Sequence, residues 1–265
     1  MIRFGQTITG AALALAATML AGGAASAAQC GNTAAGFDAW KQQFAQEARG
    51  RVGPGAIAAV MGANYARATI SADRGQHGFK LTLDQFMAKR GGAAIISRGK
   101  ALKKSNAALF AQIEQRYGVP AGPLLAIWGM ETGFGAVRGK QHLISAVATL
   151  AYDCRRSAYF TDQLYAALKL VDQGVFSANT IASMHGEVGQ TQFMPKTVLN
   201  YAVGSLETPS GALLSTANFL KGHGWQRGAG YQPGEANFAA IQEWNAASVY
   251  QRAIAIIGAR IDGDR

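Results

Sequence analysis

Alternation of apolar and polar residues, the mark of a β-strand, is almost absent from these 265 residues; only a short piece around Ala68 to Ser71 shows a trace of it. An architecture organised on a sheet is thereby excluded. Cysteine is nearly as scarce. Cys30 and Cys154 are the only two, and the four histidines (His77, His142, His185 and His223) lack the spacing of metal ligands, so neither a metal centre nor a cofactor is expected. Long apolar runs are missing as well. The run near the N-terminus, Ile8 to Leu20, is short for a membrane span and is peppered with Gly and Ala. No segment is biased enough for a disordered linker, no internal repeat is visible, and no aromatic-basic motif points to nucleic acid.

What is present points to an exported, mainly α protein. Arg3 ahead of the apolar run and the small residues Ala25-Ser26-Ala27 behind it form a secretory signal pattern with cleavage after Ala27. The expected division is a signal peptide over 1–27 and a single domain over 28–265. Gln29, before Cys30, is not the small residue that lipid attachment needs, so a soluble periplasmic protein without a stable membrane anchor is expected. In that oxidising compartment the two cysteines most simply form one disulfide, Cys30 to Cys154. Lys and Arg number 25 against 15 Asp and Glu, a net charge of +10, and loss of Arg3 lowers this by one. The partner is therefore anionic in expectation: cell-wall polymer, an acidic membrane surface or extracellular nucleic acid, of which the last has only charge in its favour. Helical stripes run through the chain: Phe37, Trp40, Phe44 and Ala48; Leu102, Leu109, Phe110, Ile113 and Tyr117 before Gly118-Val119-Pro120; Phe160, Leu164, Leu168 and Val171; Leu213, Ala217 and Leu220; and Tyr250, Ile254 and Ile257.

One charge interrupts this pattern where it is least welcome. Glu131 ends the apolar stretch Gly122 to Met130 and falls on the same helical face as Leu124, Ile127 and Trp128. Pro123 suits a first helical turn and Gly133 the position just beyond a last one, which puts Glu131 at a helix C-terminus. Burial and the negative end of the helix dipole both disfavour its charged form. A carboxyl group kept protonated near neutral pH is what general-acid cleavage of a glycosidic bond requires. The plainer alternative is a buried Glu satisfied by an Arg or by backbone donors.

Three segments, in order, resemble the membrane-bound lytic murein transglycosylase B family. They are Gly118-Val119-Pro120 with Ile127-Trp128-Gly129-Met130-Glu131-Thr132 and Phe134-Gly135; Leu150 to Phe160, containing Arg155-Arg156-Ser157-Ala158-Tyr159; and Gly186-Glu187-Val188-Gly189-Gln190-Thr191-Gln192-Phe193-Met194-Pro195. Asp73-Arg74-Gly75-Gln76 and His223-Gly224-Trp225 add to them, and together they cover the chain from about Phe37 to Ile257. The resemblance implies an all-α, goose-lysozyme-like fold and cleavage of the β-1,4 bond between N-acetylmuramic acid and N-acetylglucosamine in peptidoglycan. It assigns Glu131 as the single acid and base, with the muramyl C6 hydroxyl attacking C1 to leave a 1,6-anhydro end. A muramidase using the same acid with water, and a non-catalytic peptidoglycan-binding protein, are the alternatives.

The same resemblance implies the substrate contacts. Arg155 and Arg156 are similar to arginines lining the glycan cleft, Tyr159 to a cleft tyrosine, Ser183 to a serine near the acid, and Gln192 to a glutamine binding an N-acetyl group, with Phe193 as an apolar wall. Trp244 and Tyr250 have the spacing of two tyrosines flanking the cleft; Trp244 departs from the first, keeping the stacking surface and losing the phenolic hydrogen bond. Asp153 beside Arg155 reads as a salt bridge. Glu187 either faces solvent or approaches the site, touching substrate or tuning Glu131. After Tyr201-Ala202-Val203, Glu207 is the only acid before Pro209, too few oxygens for calcium, so none is expected.

Overall fold

The computed structural model describes residues 28–75 and 81–263, so the expected signal peptide over 1–27, and Gln76 and His77, lie outside it. Thirteen α-helices are found among the described residues, with one 3-10 turn and a pair of two-residue strands. One group of helices comprises α1 (Phe37–Ala48), α2 (Pro54–Met61), α3 (Arg67–Arg74), α8 (Leu143–Tyr152) and α9 (Ser157–Asp172), which pack on one another. A second comprises α4 (Leu83–Lys89), α5 (Gly92–Ser105), α6 (Ala107–Tyr117), α7 (Ala121–Thr132), α11 (Pro209–Gly222), α12 (Phe238–Trp244) and α13 (Ser248–Asp262). Helix α10 (Pro195–Tyr201) bridges them, touching α9 and α11. The strands β1 (Gln141–His142) and β2 (Ile181–Ala182) pair antiparallel between the end of α7 and the loop after α9.

Helix α7 is the axis of the second group. A helix apolar all round belongs in a core rather than at its edge, and every residue of α7 except Glu131 is buried. It packs against α13 and α5. The approach to α13 is close because Gly122 faces Gly258: a Cβ on Gly122 would stand 2.3 Å from the Gly258 carbonyl oxygen.

Two details of the sequence pattern resolve differently. The trace of a strand at Ala68 to Ser71 lies inside α3, where the buried residues Thr69, Ile70 and Asp73 follow helical spacing; the β-branched pair raised strand propensity, and packing on α8 overrode it. The stripe from Leu102 to Tyr117 is two helices, α5 and α6, broken at Asn106, whose side chain donates to the Leu102 carbonyl at 3.0 Å.

Cys30 and Cys154 are bonded, 124 residues apart in sequence. Around them the Gly31 N–H donates to the Tyr152 carbonyl at 2.9 Å, and the Tyr152 hydroxyl to the Thr33 carbonyl at 2.8 Å. The bond ties the start of the described chain to the α8–α9 corner, and closing so long a loop restricts the unfolded chain. Its reduction is expected to lower stability by about 2 to 4 kcal/mol. Urea unfolding of oxidised protein against a Cys30→Ser/Cys154→Ser variant checks this; coincident midpoints would show that the neighbouring hydrogen bonds alone hold the corner.

Candidate active site

Glu131 stands in the last turn of α7, where Gly133 (φ 59°) takes the left-handed conformation that ends the helix. The Gly133 N–H donates to the Gly129 carbonyl at 3.0 Å and the Phe134 N–H to the Trp128 carbonyl at 3.2 Å, which fixes the turn. Two donors converge on one oxygen: the Tyr250 hydroxyl reaches Glu131 Oε1 at 2.7 Å, and the Trp244 indole N–H reaches the same atom at 3.1 Å. Among the described residues no protein group bonds Oε2. Although the residue keeps an accessible edge, burial is the largest influence on its carboxyl group and pushes it up to about 7 from 4.5. The two hydrogen bonds and the Arg90 cation oppose that rise, while the charge of Glu187 adds to it. Tyr250, 3% exposed, is raised well above its ordinary value by burial and by the adjoining Glu131.

This arrangement corrects three expectations. Trp244 does bring a hydrogen bond, from its indole rather than from a phenol. Tyr250 directs its hydroxyl at the acid instead of lining an open cleft. Phe193 is 1% exposed and offers no face to a sugar; it packs behind Trp244 at 5.5 Å between ring centres and steadies the indole against Glu131. Tyr250→Phe removes a donor that favours the charged form, and a hydrogen bond to a charged group is worth roughly 1.5 kcal/mol, so the Glu131 midpoint is expected to rise by about one unit. A carboxyl-labelled NMR titration reads it directly; a fall would reverse the assigned role of the hydroxyl.

Arg90, at the end of α4, was not singled out by sequence. It donates to the Met130 carbonyl at 3.3 Å and lies 5.7 Å from the centre of the Tyr250 ring, bracing both the acid's helix end and its partner. Gln190 was also passed over. It accepts from the Trp128 indole at 3.1 Å and, through its backbone carbonyl, from the Thr132 hydroxyl at 2.6 Å, while its own amide donates to the Glu207 carbonyl at 2.6 Å. The loop from Ser183 to Phe193 is thereby bolted to the turn that carries Glu131. Within it Val188 and Phe193 exchange two backbone hydrogen bonds of 2.9 Å, and Gln192, part exposed, adopts φ 56°, a left-handed conformation rare outside glycine. Its side-chain amide donates to the Gly189 carbonyl at 2.9 Å.

Ser183 is bonded to Glu187 and not to the acid, while the charge of Glu187 reaches Glu131. The Ser183 hydroxyl donates to Glu187 Oε2 at 2.8 Å and accepts the Glu187 N–H at 3.1 Å and the His185 N–H at 3.2 Å. Arg155 and Arg156 converge on Asp73, not on Asp153: Arg155 Nε donates to Asp73 Oδ2 at 2.6 Å, and Arg156 pairs with Oδ1. Asp153 instead binds Arg74 at 2.6 Å and accepts the Arg155 backbone N–H at 3.0 Å. Both arginines remain 37–42% exposed although their partner is 2% exposed, so each keeps an outward edge. Tyr159 is 50% exposed, and burial of the other half, with Glu187 nearby, raises its hydroxyl above the ordinary value against the pull of Arg156. Behind the loop lies a cavity of about 880 Å³ walled by Leu170, Val188, Leu199 and Leu206; no residue bonded to Glu131 lines it, so it is separate from the acid. Glu207 pairs with Arg138 at 2.6 Å, and among the described residues no three His, Cys, Asp or Glu side chains gather in a metal-holding group.

The sequence profile described as Transglycosylase SLT domain matches residues 36–234. The chain is similar to the membrane-bound lytic murein transglycosylase B of Escherichia coli, 37% identical over 123 residues; that alignment covers 43% of this chain and spans about a third, 34%, of the relative. Its fold is similar to that of SltB3 from Pseudomonas aeruginosa in complex with NAG-NAM-pentapeptide, with 28% identity, a TM-score of 0.78, and coverage of 86% of this chain and 80% of that one. It is also similar to the Escherichia coli lytic transglycosylase Slt35 in complex with bulgecin A, 22% identical with a TM-score of 0.74, covering 89% and 96% of the two chains. The mainly α, lysozyme-like fold expected from sequence is the one found.

Proposed function

The chain belongs to the transglycosylase SLT domain family, and from that premise we propose that it is an exported lytic transglycosylase of the cell wall. Its substrate in this reading is peptidoglycan, cleaved at the β-1,4 bond between N-acetylmuramic acid and N-acetylglucosamine. The carrying observation is the raised carboxyl group of Glu131, with both protein donors on Oε1 and Oε2 left for the proton. Protonated Oε2 gives its hydrogen to the glycosidic oxygen as the C1–O bond breaks, so N-acetylglucosamine leaves with a free O4 hydroxyl. Tyr250 and Trp244 then hold the resulting carboxylate. The C6 hydroxyl of the muramyl sugar attacks C1, its proton passes to Glu131, and the acid is restored with a 1,6-anhydro end formed. Arg155, Arg156 and Tyr159, with their outward edges, are the proposed contacts to acidic and sugar groups of the glycan. Ser183 and Gln192 are assigned to the wall of the same site.

Support for the substrate class comes from the family and from the bound NAG-NAM-pentapeptide of the SltB3 neighbour. The signal pattern over 1–27 supports a periplasmic location in this reading; among the described residues no helix is long and apolar enough to cross a membrane. Muropeptides released from purified peptidoglycan and weighed by mass spectrometry test the reaction. Products one water lighter than hydrolytic ones are expected. Reducing-end products would make the protein a muramidase, and no release would leave it a wall-binding protein.

A further inference from the structure

We propose that Glu187 is a positioning residue for Glu131: a second carboxylate, fastened by Ser183, whose negative charge holds the proton on the acid until the glycan takes it. The inference rests on the reading of Glu131 as general acid and deepens it. Three observations carry it. Glu187 is part exposed and Ser183 Oγ donates to its Oε2, which fixes the position of the carboxyl group. The serine hydroxyl is itself oriented by two backbone N–H groups and has its one proton on Glu187, so it acts on this carboxylate and not on the acid. The loop bearing the pair is clamped by Gln190 to Trp128 and Thr132, one residue beyond Glu131, which holds the segment carrying Glu187 against the turn carrying the acid.

The surroundings offset this charge only in part at the acid. From α13 Glu131 is faced by Tyr250, from the end of α4 by Arg90, from α12 by the uncharged Trp244 indole, and from the loop by Glu187. Arg90 is shared with the Met130 carbonyl. Glu187 in turn influences Tyr159 of α9 and Tyr250, both phenols that stay neutral. His185 lies beside Asp73, its Nε2 4.0 Å from Oδ1. Two carboxyl groups that share a site ionise less readily than one alone, and burial strengthens the effect.

The test is a carboxyl-labelled NMR titration of the oxidised protein, with the Glu131 resonance identified by its loss in Glu131→Gln. In Glu187→Gln, which keeps the shape and an acceptor for Ser183, the Glu131 midpoint is expected to fall by about 0.5 to 1 unit. Glu187→Asp, which keeps the charge, should retain most of the wild-type midpoint. In parallel, the basic limb of the pH profile for muropeptide release should move down by the same amount, so that the variant loses more rate at pH 8 than at pH 5. An unmoved midpoint in Glu187→Gln would overturn the proposal, as would a rate lowered equally at every pH, which marks a substrate contact. The titration needs no turnover, so failure of the catalytic reading, seen as an active Glu131→Gln, remains distinguishable.

Discussion

Glu131→Gln is expected to lose about two to four orders of magnitude of glycan-cleaving activity, the usual contribution of a positioned general acid, while becoming more stable than the parent protein in mild alkali. Both effects have one origin. The amide keeps a carbonyl oxygen for Tyr250 and Trp244 but has no acidic proton to give. The folded-state value of about 7 lies above the ordinary 4.5, so the folded protein holds a proton that the unfolded chain has released between those limits. The stability contributed by the protonated form is therefore complete below about pH 4.5 and is lost as pH rises through 7. The difference of roughly 2.5 units corresponds to about 3 kcal/mol by pH 8, an upper figure because the residue keeps an accessible edge. Gln does not ionise and avoids this loss. Urea unfolding of the two proteins should give similar stability at pH 4 and a gap favouring Gln at pH 8. Equal stability at both values would mean that Glu131 titrates normally and is no poised acid.

The position of Glu131 was legible because it violates a pattern: one charge on a uniformly apolar helix, followed by a glycine that ends it. Periodicity marked Tyr250 as a helical stripe residue and the resemblance as a tyrosine flanking the cleft; neither shows its bond to the acid, since a stripe records which side chains are buried and not that a buried hydroxyl meets a carboxylate 119 residues away. Trp244 shows the same limit from the other side. Exchange of a phenol for an indole looked like the loss of a donor, yet the indole N–H occupies the required place because Phe193 supports the ring from behind. The fold class followed from periodicity, while the break between α5 and α6 did not, as the apolar spacing runs on across Asn106 and only a side-chain cap marks the interruption. Arg90 gave no signal at all. Its role depends on α4 meeting α13, a contact between segments far apart in the chain.

Asp73 illustrates why adjacency in sequence misassigned an ion pair, and it leads to the second large effect. Asp153 is two residues from Arg155 and looked like its partner, but α3 packs on α8 and delivers Asp73 to both arginines, leaving Asp153 to Arg74. Burial pushes the Asp73 carboxyl up, and the hydrogen bonds and charges of Arg155 and Arg156 outweigh it to leave the group below its ordinary value. The cluster is asymmetric: the carboxylate is 2% exposed and the guanidinium groups 37–42%. Removing the acid frees two arginines that solvent can receive, so Asp73→Asn should cost only about 1 to 2 kcal/mol. Removing both arginines instead strands a charge in the interior, and Arg155→Met with Arg156→Met is expected to cost about 3 to 5 kcal/mol at pH 7. The pH dependence separates this from lost packing. With the arginines present, Asp73 contributes stability above its unfolded value that is lost as pH falls through the depressed folded one. Without them burial prevails, the carboxyl rises, and the sign reverses: the double variant should regain stability relative to the parent as pH is lowered and Asp73 takes up a proton. Urea unfolding at pH 7 and pH 4 should show the gap narrowing. A constant gap would mean that the arginines act through their hydrocarbon stems, such as the Arg156 contact over the Phe160 ring at 4.8 Å, and not through charge.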